Sequence, residues 1–343
     1  MSNKDVSILI TGASGLVGSY LLLHLVRQGY SNIRALHRKD SNLELLESIK
    51  DRINWIEGDI CNYYDVEQAM NGVSQVYHCA AIVSYDSRDY DYIMQTNVEG
   101  TENVVNAALE LKIDKLVHVS STAAIGKDKN KSALDENAKW SRNPDLSSYA
   151  ISKYLSEQMV WRGWAEGLKV AIVNPSIIIG AGNWSRSSAK LFLQVWNGLK
   201  FYPLGSTGFV DIRDVVAFMH LIMESDINGE RYVLSAENLS FKTVFEKIAN
   251  GLGKKIPQIA VNPFLRELSW RIEWLRSRIS GKKVLITKET ARLSAQNSVY
   301  DNSKSKQIQG FMYRKIDKSI RDTAKNMNES ASNNWKLKPL PFD

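Results

Sequence analysis

A tyrosine and a lysine stand four residues apart in a stretch whose pattern is helical. The stretch reads Tyr-Ala-Ile-Ser-Lys and runs from Tyr149 to Lys153. Four residues make about one helical turn, so both side chains lie on one face of a helix. A tyrosine hydroxyl titrates near pKa 10, and a neighbouring ammonium stabilises its phenolate, so the pair can exchange a proton near neutral pH. This spacing predicts acid and base chemistry on a carbonyl or a hydroxyl group.

The same spacing occurs a second time, at Tyr300 and Lys304, so the pair alone does not identify a site. The surroundings of the two pairs differ. Tyr149 opens a helix that leads into a buried strand, and it follows a serine-rich strand end by 28 residues (149 − 121). Tyr300 has no such neighbours in the sequence, so we predict that Tyr149 is the reactive tyrosine.

A hydroxyl side chain at a strand end completes the set. Ser121 follows the apolar run that ends "LVHVSS". Ligands of parallel α/β sheets bind outside the carboxyl ends of the strands, where Ser121 and Tyr149 converge. We predict that Ser121, Tyr149 and Lys153 act together and that the serine orients a substrate oxygen. Ser120 and Thr122 are the alternative hydroxyls.

Three glycines at three-residue intervals predict a phosphate-binding turn. The stretch "TGASGLVG" places Gly12, Gly15 and Gly18 after a predicted strand and at the start of a predicted helix. Gly12 suits the tight turn, Gly15 the close approach of a pyrophosphate, and Gly18 the packing of the helix against the sheet. The helix start adds N–H donors and a positive dipole end. We therefore predict a dinucleotide site.

The end of the second predicted strand distinguishes between two dinucleotides. An acidic residue there binds the ribose 2′-hydroxyl of NAD, whereas an arginine accepts the 2′-phosphate of NADP. The strand ends on His37, Arg38 and Lys39, and Asp40 comes late. This order favours NADP(H). NAD(H) is the alternative, in which Asp40 folds back toward the ribose.

Strands alternate with helices through the first half of the chain. We predict strands over 6–11, 32–36, 53–57, 75–80, 116–120 and 170–174, a helix near residue 213, and one returning strand in "ERYVLSA". Such alternation implies right-handed βαβ units and a parallel, doubly wound α/β sheet. Residues 1–175 and 209–236 are predicted to form this dinucleotide-binding domain. Residues 176–208 and 237–330 form a substrate-binding region, and 331–343 a flexible tail.

The helical stripe between residues 264 and 280 has no assigned role. Its apolar members are Phe264, Leu265, Leu268, Ile272, Leu275 and Ile279, flanked by Trp270 and Trp274. The simplest interpretation is a helix packed on a small C-terminal domain. A substrate lid and a membrane-surface helix are the alternatives.

The motifs resemble those of the extended short-chain dehydrogenase/reductases. TGxxGxxG, GDI, HCAA, TNVEGT, VSSTAA, YxxxK, NPSIIIG and FVDIRDV occur in the family's order. The chain is similar to the dihydroflavonol-reductase-like and 3β-hydroxysteroid-dehydrogenase-like members, in which an arginine stands like Arg38. The resemblance implies a Rossmann-type sheet with a smaller, mostly helical C-terminal substrate domain. It also implies hydride transfer between nicotinamide and a ketone or secondary alcohol.

The resemblance also places the site residues. Tyr149 would exchange the proton, Lys153 would also hold the ribose, and Asn97 would assist catalysis from the preceding helix. Asp59, Ala80 and Ala81 end strands where the family contacts adenine and ribose. The full set of predicted cofactor contacts is Thr11, Gly12, Ser14, Gly15, Leu16, Val17, Gly18, His37, Arg38, Asp59, Ile60, Ala80, Ala81, Tyr149, Lys153, Pro175, Ser176, Ile177 and Ile178.

Three functions are open at this point. We favour an NADP-dependent reductase of a hydrophobic or aromatic ketone, because aromatic residues crowd the loop region expected to roof the pocket. These are Trp184, Phe192, Trp196, Phe201, Tyr202 and Phe209, with Arg186 as a cation that could instead meet a phosphate. The alternative is a nucleoside-diphosphate-sugar epimerase with tightly bound NAD, although "VNPSIIIGAG" lacks that group's arginine and final proline. The third is a dinucleotide sensor without catalysis.

Composition narrows the partners. Lys and Arg exceed Asp and Glu by 7 (44 − 37), but the cations are scattered and no nucleic-acid motif occurs, so we predict a small-molecule substrate and no nucleic acid. Weak attraction to anionic surfaces follows from the charge. Cys61 and Cys79 predict free thiols and a cytoplasmic location. No metal site, signal peptide or membrane span is predicted, and monomer and homodimer are both open.

Overall fold

The computed structural model describes residues 4–126, 132–141, 146–280 and 287–342. Its strands are β1 (Ile8–Thr11), β2 (Ile33–His37), β3 (Asn54–Glu57), β4 (Gln75–His78), β5 (Lys115–Val119), β6 (Val170–Pro175), β7 (Ile177–Ile179), β8 (Phe201–Pro203), β9 (Ser206–Asp211), β10 (Glu230–Leu234), β11 (Glu237–Ser240) and β12 (Ile259–Val261).

The helices between and after these strands follow in chain order. They are α1 (Leu16–Arg27), α2 (Tyr63–Met70), α3 (Tyr90–Met94), α4 (Gly100–Glu110), α5 (Ser148–Ala165), α6 (Ala189–Trp196), α7 (Ile212–Met223), α8 (Phe241–Leu252), α9 (Pro263–Ser280), α10 (Lys288–Leu293), α11 (Ser303–Lys306) and α12 (Ile316–Ser332). Short 3₁₀ segments cover Glu44–Arg52, Ser87–Asp89 and Thr122–Ala124, and a π-helical turn covers Gln95–Glu99.

Seven strands form one parallel sheet in the order β10-β6-β5-β4-β1-β2-β3. The chain builds outward from β1 through β2 to β3, then crosses to β4 and builds the other half. Ile8 of β1 therefore lies opposite Ile33 of β2 on one side and Gln75 of β4 on the other. The strand order reverses between β1 and β4, and such a reversal opens a crevice at the carboxyl ends of the strands. The predicted doubly wound α/β sheet is confirmed.

Both faces of the sheet are covered by helices, which explains the apolar strands. One core cluster joins Ile8 and Ile10 to α1 and α7, and the other joins Leu9 to α2, α4 and α5. All four residues of β1 are buried. A parallel strand covered on both faces has no need of polar alternation.

The C-terminal region is mostly helical and carries two small sheets. β9 pairs in parallel with β7 and antiparallel with β11, while β8 pairs in parallel with β12. Helix α8 packs against α12. The predicted helical region after the main sheet is thus confirmed.

A buried ion cluster connects this region to α7. Asp211 caps α7 by accepting from the backbone N–H of Arg213 at 2.8 Å. The fully buried Arg213 guanidinium donates to Asp211 at 2.9 and 2.7 Å and to Asp322 of α12 at 2.8 Å. Burying these charges is tolerable because the guanidinium is paired with two carboxylates. The motif "FVDIRDV" therefore anchors α12 on α7.

Residues 331–342 differ from the predicted flexible tail. Leu340 is buried, and its backbone N–H donates to the Tyr20 hydroxyl of α1 at 2.8 Å. The Pro341 carbonyl accepts from Arg213, and the Phe342 ring lies 6.0 Å from the ring of Tyr20. Apolar residues of this segment cover α1, and that burial holds the segment in place.

Helix α9 begins at Pro263, and Asn262 accepts from the N–H of Leu265 at 2.9 Å before its first turn. Proline at the first position and asparagine before it are typical of helix starts. The side chains of Leu275 and Ile279 in the predicted stripe lie outside the described residues. Among the described helices, none is long and apolar enough to cross a membrane.

Candidate active site

The glycine turn between β1 and α1 is sterically closed at two of its three glycines. Gly12 has φ +67°, and a Cβ there would lie 2.5 Å from the backbone of Ala80. A Cβ on Gly18 would lie 2.3 Å from the Gly12 carbonyl oxygen, whereas one on Gly15 would meet only that oxygen, at 3.2 Å. Gly12 and Gly18 are thus required by the packing of the turn. Gly15 leaves its surface open toward the crevice, as the phosphate prediction requires.

The first turn of α1 offers backbone donors. The N-cap residue Gly15 has no capping side chain, and no acidic residue occupies this turn. Backbone N–H groups at such a helix start, together with the helix dipole, favour an anion. Thr11 does not point to this anion site, because its hydroxyl bonds to Nδ1 of the buried His78 at 2.7 Å.

Arg38 extends from the end of β2 at the far side of the turn. Its guanidinium Nη1 donates to the Tyr92 hydroxyl at 2.7 Å, and this bond raises the pKa of Arg38 further. Its backbone N–H donates to the Ser41 hydroxyl at 3.1 Å. Arg38, Lys39, Ser41 and Asp40 all line the same end of the cleft. His37 does not line it, and its ring Nδ1 lies 3.0 Å from the Arg38 carbonyl oxygen.

A cleft of about 2430 Å³ runs from the glycine turn across the sheet end to α9 and α10. Small-molecule pockets usually measure about 300–1,000 Å³, so this cleft has room for a dinucleotide and a second ligand. Of the predicted site residues, the following line it: Ser14, Gly15, Leu16, Val17, Arg38, Asp59, Ala81, Ser121, Tyr149, Lys153, Ser176, Ile177 and Ile178. Thr11, Gly12, Gly18, His37, Ile60, Ala80, Asn97 and Pro175 lie behind this surface.

Three of the predicted residues outside the cleft lining, Ile60, Ala80 and Pro175, pack within the fold. Ile60 packs against Gly100, and its carbonyl accepts from Asn103 at 2.9 Å. Ala80 underlies Gly12, and Pro175 pairs with Leu234 inside the sheet. Asp59 lines the cleft, and one of its carboxylate oxygens accepts from the backbone N–H of Cys61 at 3.0 Å.

Ser121 and Tyr149 meet in the middle of the cleft. Ser121 caps the turn Thr122–Ala124 by accepting from Ala123 N–H at 3.1 Å. Its side chain is also hydrogen-bonded to the Tyr149 hydroxyl, which lowers the pKa of that phenol, but burial has the larger effect and raises the pKa above its ordinary value. Of the three candidate hydroxyls, Ser121 is therefore the one in contact with Tyr149. The phenol stays protonated near neutral pH.

Lys153 follows Tyr149 by one turn of α5 and lies below it. Its ammonium donates to the Val119 carbonyl at 2.7 Å, and the side chain is buried. Burial lowers the pKa of Lys153 to about 8, against the opposing effect of the Glu157 carboxylate. The sequence argument expected Lys153 to hold the Tyr149 pKa down. In the structure, burial has the largest effect on the pKa of the Tyr149 phenol and raises it.

A buried network that the sequence argument missed supports these groups. Glu157 follows Lys153 by four residues and is fully buried. Its carboxylate accepts from Asn174 Nδ2 and from Arg231 Nη1, the latter at 3.2 Å. The same Asn174 nitrogen donates to the Ser121 carbonyl at 3.0 Å. The repeat of positions 149, 153 and 157 on one helix face was the available signal.

Asn97 braces a loop and does not touch Tyr149 or Lys153 in the described hydrogen bonds. It sits in the π-helical turn, where its side chain accepts from Ile82 N–H at 2.7 Å and donates to the Ile82 carbonyl and the Ser152 hydroxyl, both at 3.0 Å. These contacts hold the loop after β4 against α5. The assisting role of Asn97 in catalysis stays a prediction.

Two further tyrosines, Tyr85 and Tyr300, line the cleft. The Tyr85 ring lies 5.7 Å from the Tyr149 ring at a steep angle. The Tyr300 side chain is hydrogen-bonded to Thr122, Ser298 and Thr207, and burial raises its pKa. Tyr300 thus lines the same cleft as Tyr149, which its neighbours in the sequence did not indicate. Its partner in the sequence pattern does stand apart, because Lys304 donates to Glu230 at 2.6 Å.

The predicted aromatic roof is wrong for most of its members. Among the six predicted aromatics, Phe201 lines the cleft. Trp184, Phe192 and Phe209 are buried in the core, and Trp196 and Tyr202 pack against it. The wall at this end is nevertheless apolar, because other elements supply it: Tyr85, Phe241, Phe245, Val261, Leu265, Leu268, Ile272 and Leu293. Arg186 lines the cleft as expected.

Both cysteines are free thiols. Burial raises the pKa of Cys61 to about 11 and that of Cys79 to about 12. Neither thiol is therefore a nucleophile at neutral pH. Within the described residues, no cluster of His, Cys, Asp and Glu could hold a metal ion.

Comparison with known proteins shows which family and which solved structures this chain resembles. A model of the NAD dependent epimerase/dehydratase family matches residues 8–235. The chain is 29% identical over 322 residues to a putative dihydroflavonol 4-reductase of Synechocystis sp., which covers 91% of this chain and 92% of the relative. It is 29% identical over 249 residues to cinnamoyl-CoA reductase 1 of Petunia hybrida, covering 68% and 73%. The crystal structure of gox2253 matches with a TM-score of 0.80 at 26% identity, covering 96% and 99%.

Proposed function

Because the chain belongs to the NAD dependent epimerase/dehydratase family, as its motifs predicted, we propose that it is an NADP-dependent reductase of a hydrophobic or aromatic ketone or aldehyde. The observation that carries the proposal is the contact between the Ser121 and Tyr149 hydroxyls in the cleft that begins at the glycine turn. Two relatives are named as reductases, one of dihydroflavonol and one of cinnamoyl-CoA, which supports reduction over sugar epimerisation.

The residues present fit a dinucleotide. The open side of Gly15 and the uncapped first turn of α1 would hold the pyrophosphate, since a side chain there would fill that space. Arg38, with Lys39 and Ser41 beside it, would accept a 2′-phosphate. Asp59 would reach the adenine end. When bound, the nicotinamide of this cofactor supplies or accepts the hydride.

Tyr149 would donate the proton that turns a carbonyl oxygen into a hydroxyl. Its raised pKa keeps it protonated at neutral pH, which suits an acid in the direction of reduction. Ser121 would hold the same substrate oxygen through its hydroxyl, and its backbone is fixed by Asn174. Lys153, while protonated, would stabilise the phenolate left after the proton has moved and would bind the ribose.

The substrate end of the cleft favours an apolar ligand. Its wall consists of phenylalanine, leucine and isoleucine side chains from β8, α8, α9 and α10, together with Tyr85 from the loop after β4. Burying an apolar ligand surface there is favourable by about 25 cal/mol per Å². Arg186 and Arg266 also line the cleft and would meet an anionic extension of a substrate.

The test is reduction of a panel of hydrophobic ketones and aldehydes by the purified chain, followed by the absorbance of NADPH. We expect turnover by the wild type and its loss in Tyr149→Phe. Tyr154→Phe is the matched control, because Tyr154 lies on the same helix but outside the cleft lining, and phenylalanine keeps its stacking at 3.9 Å on the cleft residue Trp140. Equal loss in both variants would contradict the assignment of the acid.

Two outcomes would favour the other functions. Interconversion of nucleoside-diphosphate sugars without net consumption of NADPH would identify an epimerase. Tight dinucleotide binding with no turnover of either substrate class would identify a sensor. Turnover that persists in Tyr149→Phe would refute Tyr149 as the acid.

A further inference from the structure

Exposed apolar side chains concentrate around the substrate end of the cleft. Of the 16 large apolar side chains exposed in the described part of the chain, nine lie between residues 201 and 299. Six of them form what we call the apolar rim: Phe201, Ile259, Phe264, Leu268, Ile272 and Trp274. A soluble protein seldom leaves such a contiguous surface uncovered, so the apolar rim indicates a contact surface.

Five of the six members of the apolar rim lie on neighbouring elements, namely β8, β12 and one face of α9. Trp274 follows Ile272 by two positions and therefore projects from another side of α9. Phe201 of β8 lies opposite Ile259 of β12 in the strand register. Helix α9 begins two residues after β12 and presents Phe264, Leu268 and Ile272 at four-residue spacing, with exposures of 73%, 41% and 57%. Positions four apart share one helix face. Phe201, Leu268 and Ile272 also line the cleft, so the apolar rim borders its opening.

Positive charge surrounds this surface. The described residues 263–280 and 287–293 contain six Lys or Arg and three Asp or Glu, so they carry 6 − 3 = 3 of the chain's net +7. Arg271 is exposed and lies 5.1 Å from the ring of Trp270, and Arg278 is exposed and lies 4.6 Å from the ring of Trp274. Arginine and tryptophan side chains alongside an apolar stripe are typical of helices that lie in a membrane interface.

We propose that the apolar rim binds reversibly to the surface of an anionic phospholipid bilayer. Phe264, Leu268 and Ile272 enter the boundary between headgroups and acyl chains, and Trp274 lies in the interface at the side of the helix. Arg271 and Arg278 remain at headgroup level, where anionic lipids attract them. The opening of the cleft then faces the bilayer.

Charge favours a bilayer over a second copy of this chain. Two copies docked through their apolar rims would place residues 263–280 and 287–293 of each copy, with a net charge of +3, against each other. Like charges across an interface oppose association. An anionic bilayer supplies both the apolar layer and the opposite charge.

The experiment is co-sedimentation of the full chain, without substrate, with two kinds of vesicle. One kind contains phosphatidylcholine alone, and the other contains phosphatidylcholine with phosphatidylglycerol. We expect binding to the anionic vesicles, little binding to the neutral ones, and release as salt is raised. The measurement does not depend on turnover, so it stands or falls separately from the proposed reductase activity.

Variants of exposed residues separate the apolar contribution to vesicle binding from the electrostatic one. Phe264→Ser with Ile272→Ser should lower the vesicle partition coefficient, and Met312→Ser is the control because Met312 is 85% exposed and lies outside the cleft lining. Arg271→Glu with Arg278→Glu should lower it by about tenfold or more. Lys325→Glu with Lys338→Glu is the matched charge control, since both lysines are exposed on or after α12. Thermal unfolding of each variant checks that it is folded.

Three results would overturn the proposal. The first is equal sedimentation with neutral and anionic vesicles, or with neither. The second is an equal loss of binding in the rim variants and their controls. The third is a concentration-dependent dimer that Phe264→Ser with Ile272→Ser dissociates, because the occupant would then be a second copy.

Discussion

Arg38 gives the sharpest test of the cofactor assignment. Its guanidinium is pinned by the Tyr92 hydroxyl at 2.7 Å while the remainder of the fork faces the end of the cleft. A hydrogen bond to a charged group is worth about 1.5–3 kcal/mol, which corresponds to about 10- to 150-fold in kcat/KM. Arg38→Ser should therefore lower kcat/KM for NADPH by that factor. It should leave kcat/KM for NADH nearly unchanged, because NADH has no 2′-phosphate.

The hydrogen bond between Arg38 and the Tyr92 hydroxyl can be tested at the same time. Tyr92→Phe removes one hydrogen bond to Arg38 and should cost about 1 kcal/mol, or about fivefold in kcat/KM for NADPH. Arg52→Ser removes an exposed cation outside the cleft lining and is the matched control. Initial rates with both cofactors give the ratio. If Arg38→Ser leaves that ratio unchanged and Asp40→Ser lowers the rate with NADH, the reasoning is wrong and NAD is the cofactor.

Three further predictions concern the turn, the buried lysine and the ion cluster. Gly12→Ala should lose stability, because its Cβ would lie 2.5 Å from backbone at φ +67°, while Gly15→Ala should melt near the wild type but bind NADPH more weakly in a fluorescence titration. The pKa of Lys153 is lowered to about 8, so its ammonium is lost as pH rises through about 8, and kcat/KM for reduction should fall there. If the pH profile of Lys153→Arg shows the same fall near pH 8, the titrating group is not Lys153. Arg213→Met should lower the free energy of unfolding by about 3–5 kcal/mol in denaturant titrations, because it leaves buried carboxylate unpaired. Exposed Arg321→Met should change it by less than about 1 kcal/mol.

The sheet and the glycine turn could be predicted because their signals are local. Strands covered on both faces give short apolar runs, and each predicted strand lies within two residues of an observed one at either end. The glycine spacing follows from contacts within one turn, such as Gly18 against the Gly12 carbonyl. These signals need no knowledge of the rest of the chain.

The misjudged residues depend on contacts between distant parts of the chain. Tyr300 reaches the cleft because its backbone pairs with the Asn238 side chain through two bonds of 3.0 Å. Leu340 is held by Tyr20, 320 positions away. Local periodicity also cannot distinguish an aromatic residue that packs in the core, such as Phe192, from one that lines a cleft, such as Phe201. Both are apolar at helical or strand positions, and only the packing separates them.

The buried surroundings of Lys153 explain why its charge depends on a residue outside the predicted triad. Burial lowers the pKa of His78 to about 3 and that of His118 well below its usual range, so both imidazoles beneath the site are neutral. The Glu157 carboxylate raises the pKa of Lys153 and so offsets part of the lowering by burial. The same carboxylate accepts a hydrogen bond from Arg231 at 3.2 Å. The positive potential below Tyr149 is therefore set by the balance between Lys153 and Glu157. Substitutions of residues that do not contact the substrate, such as Glu157, should therefore change the pKa of Lys153 and the electrostatic potential at Tyr149.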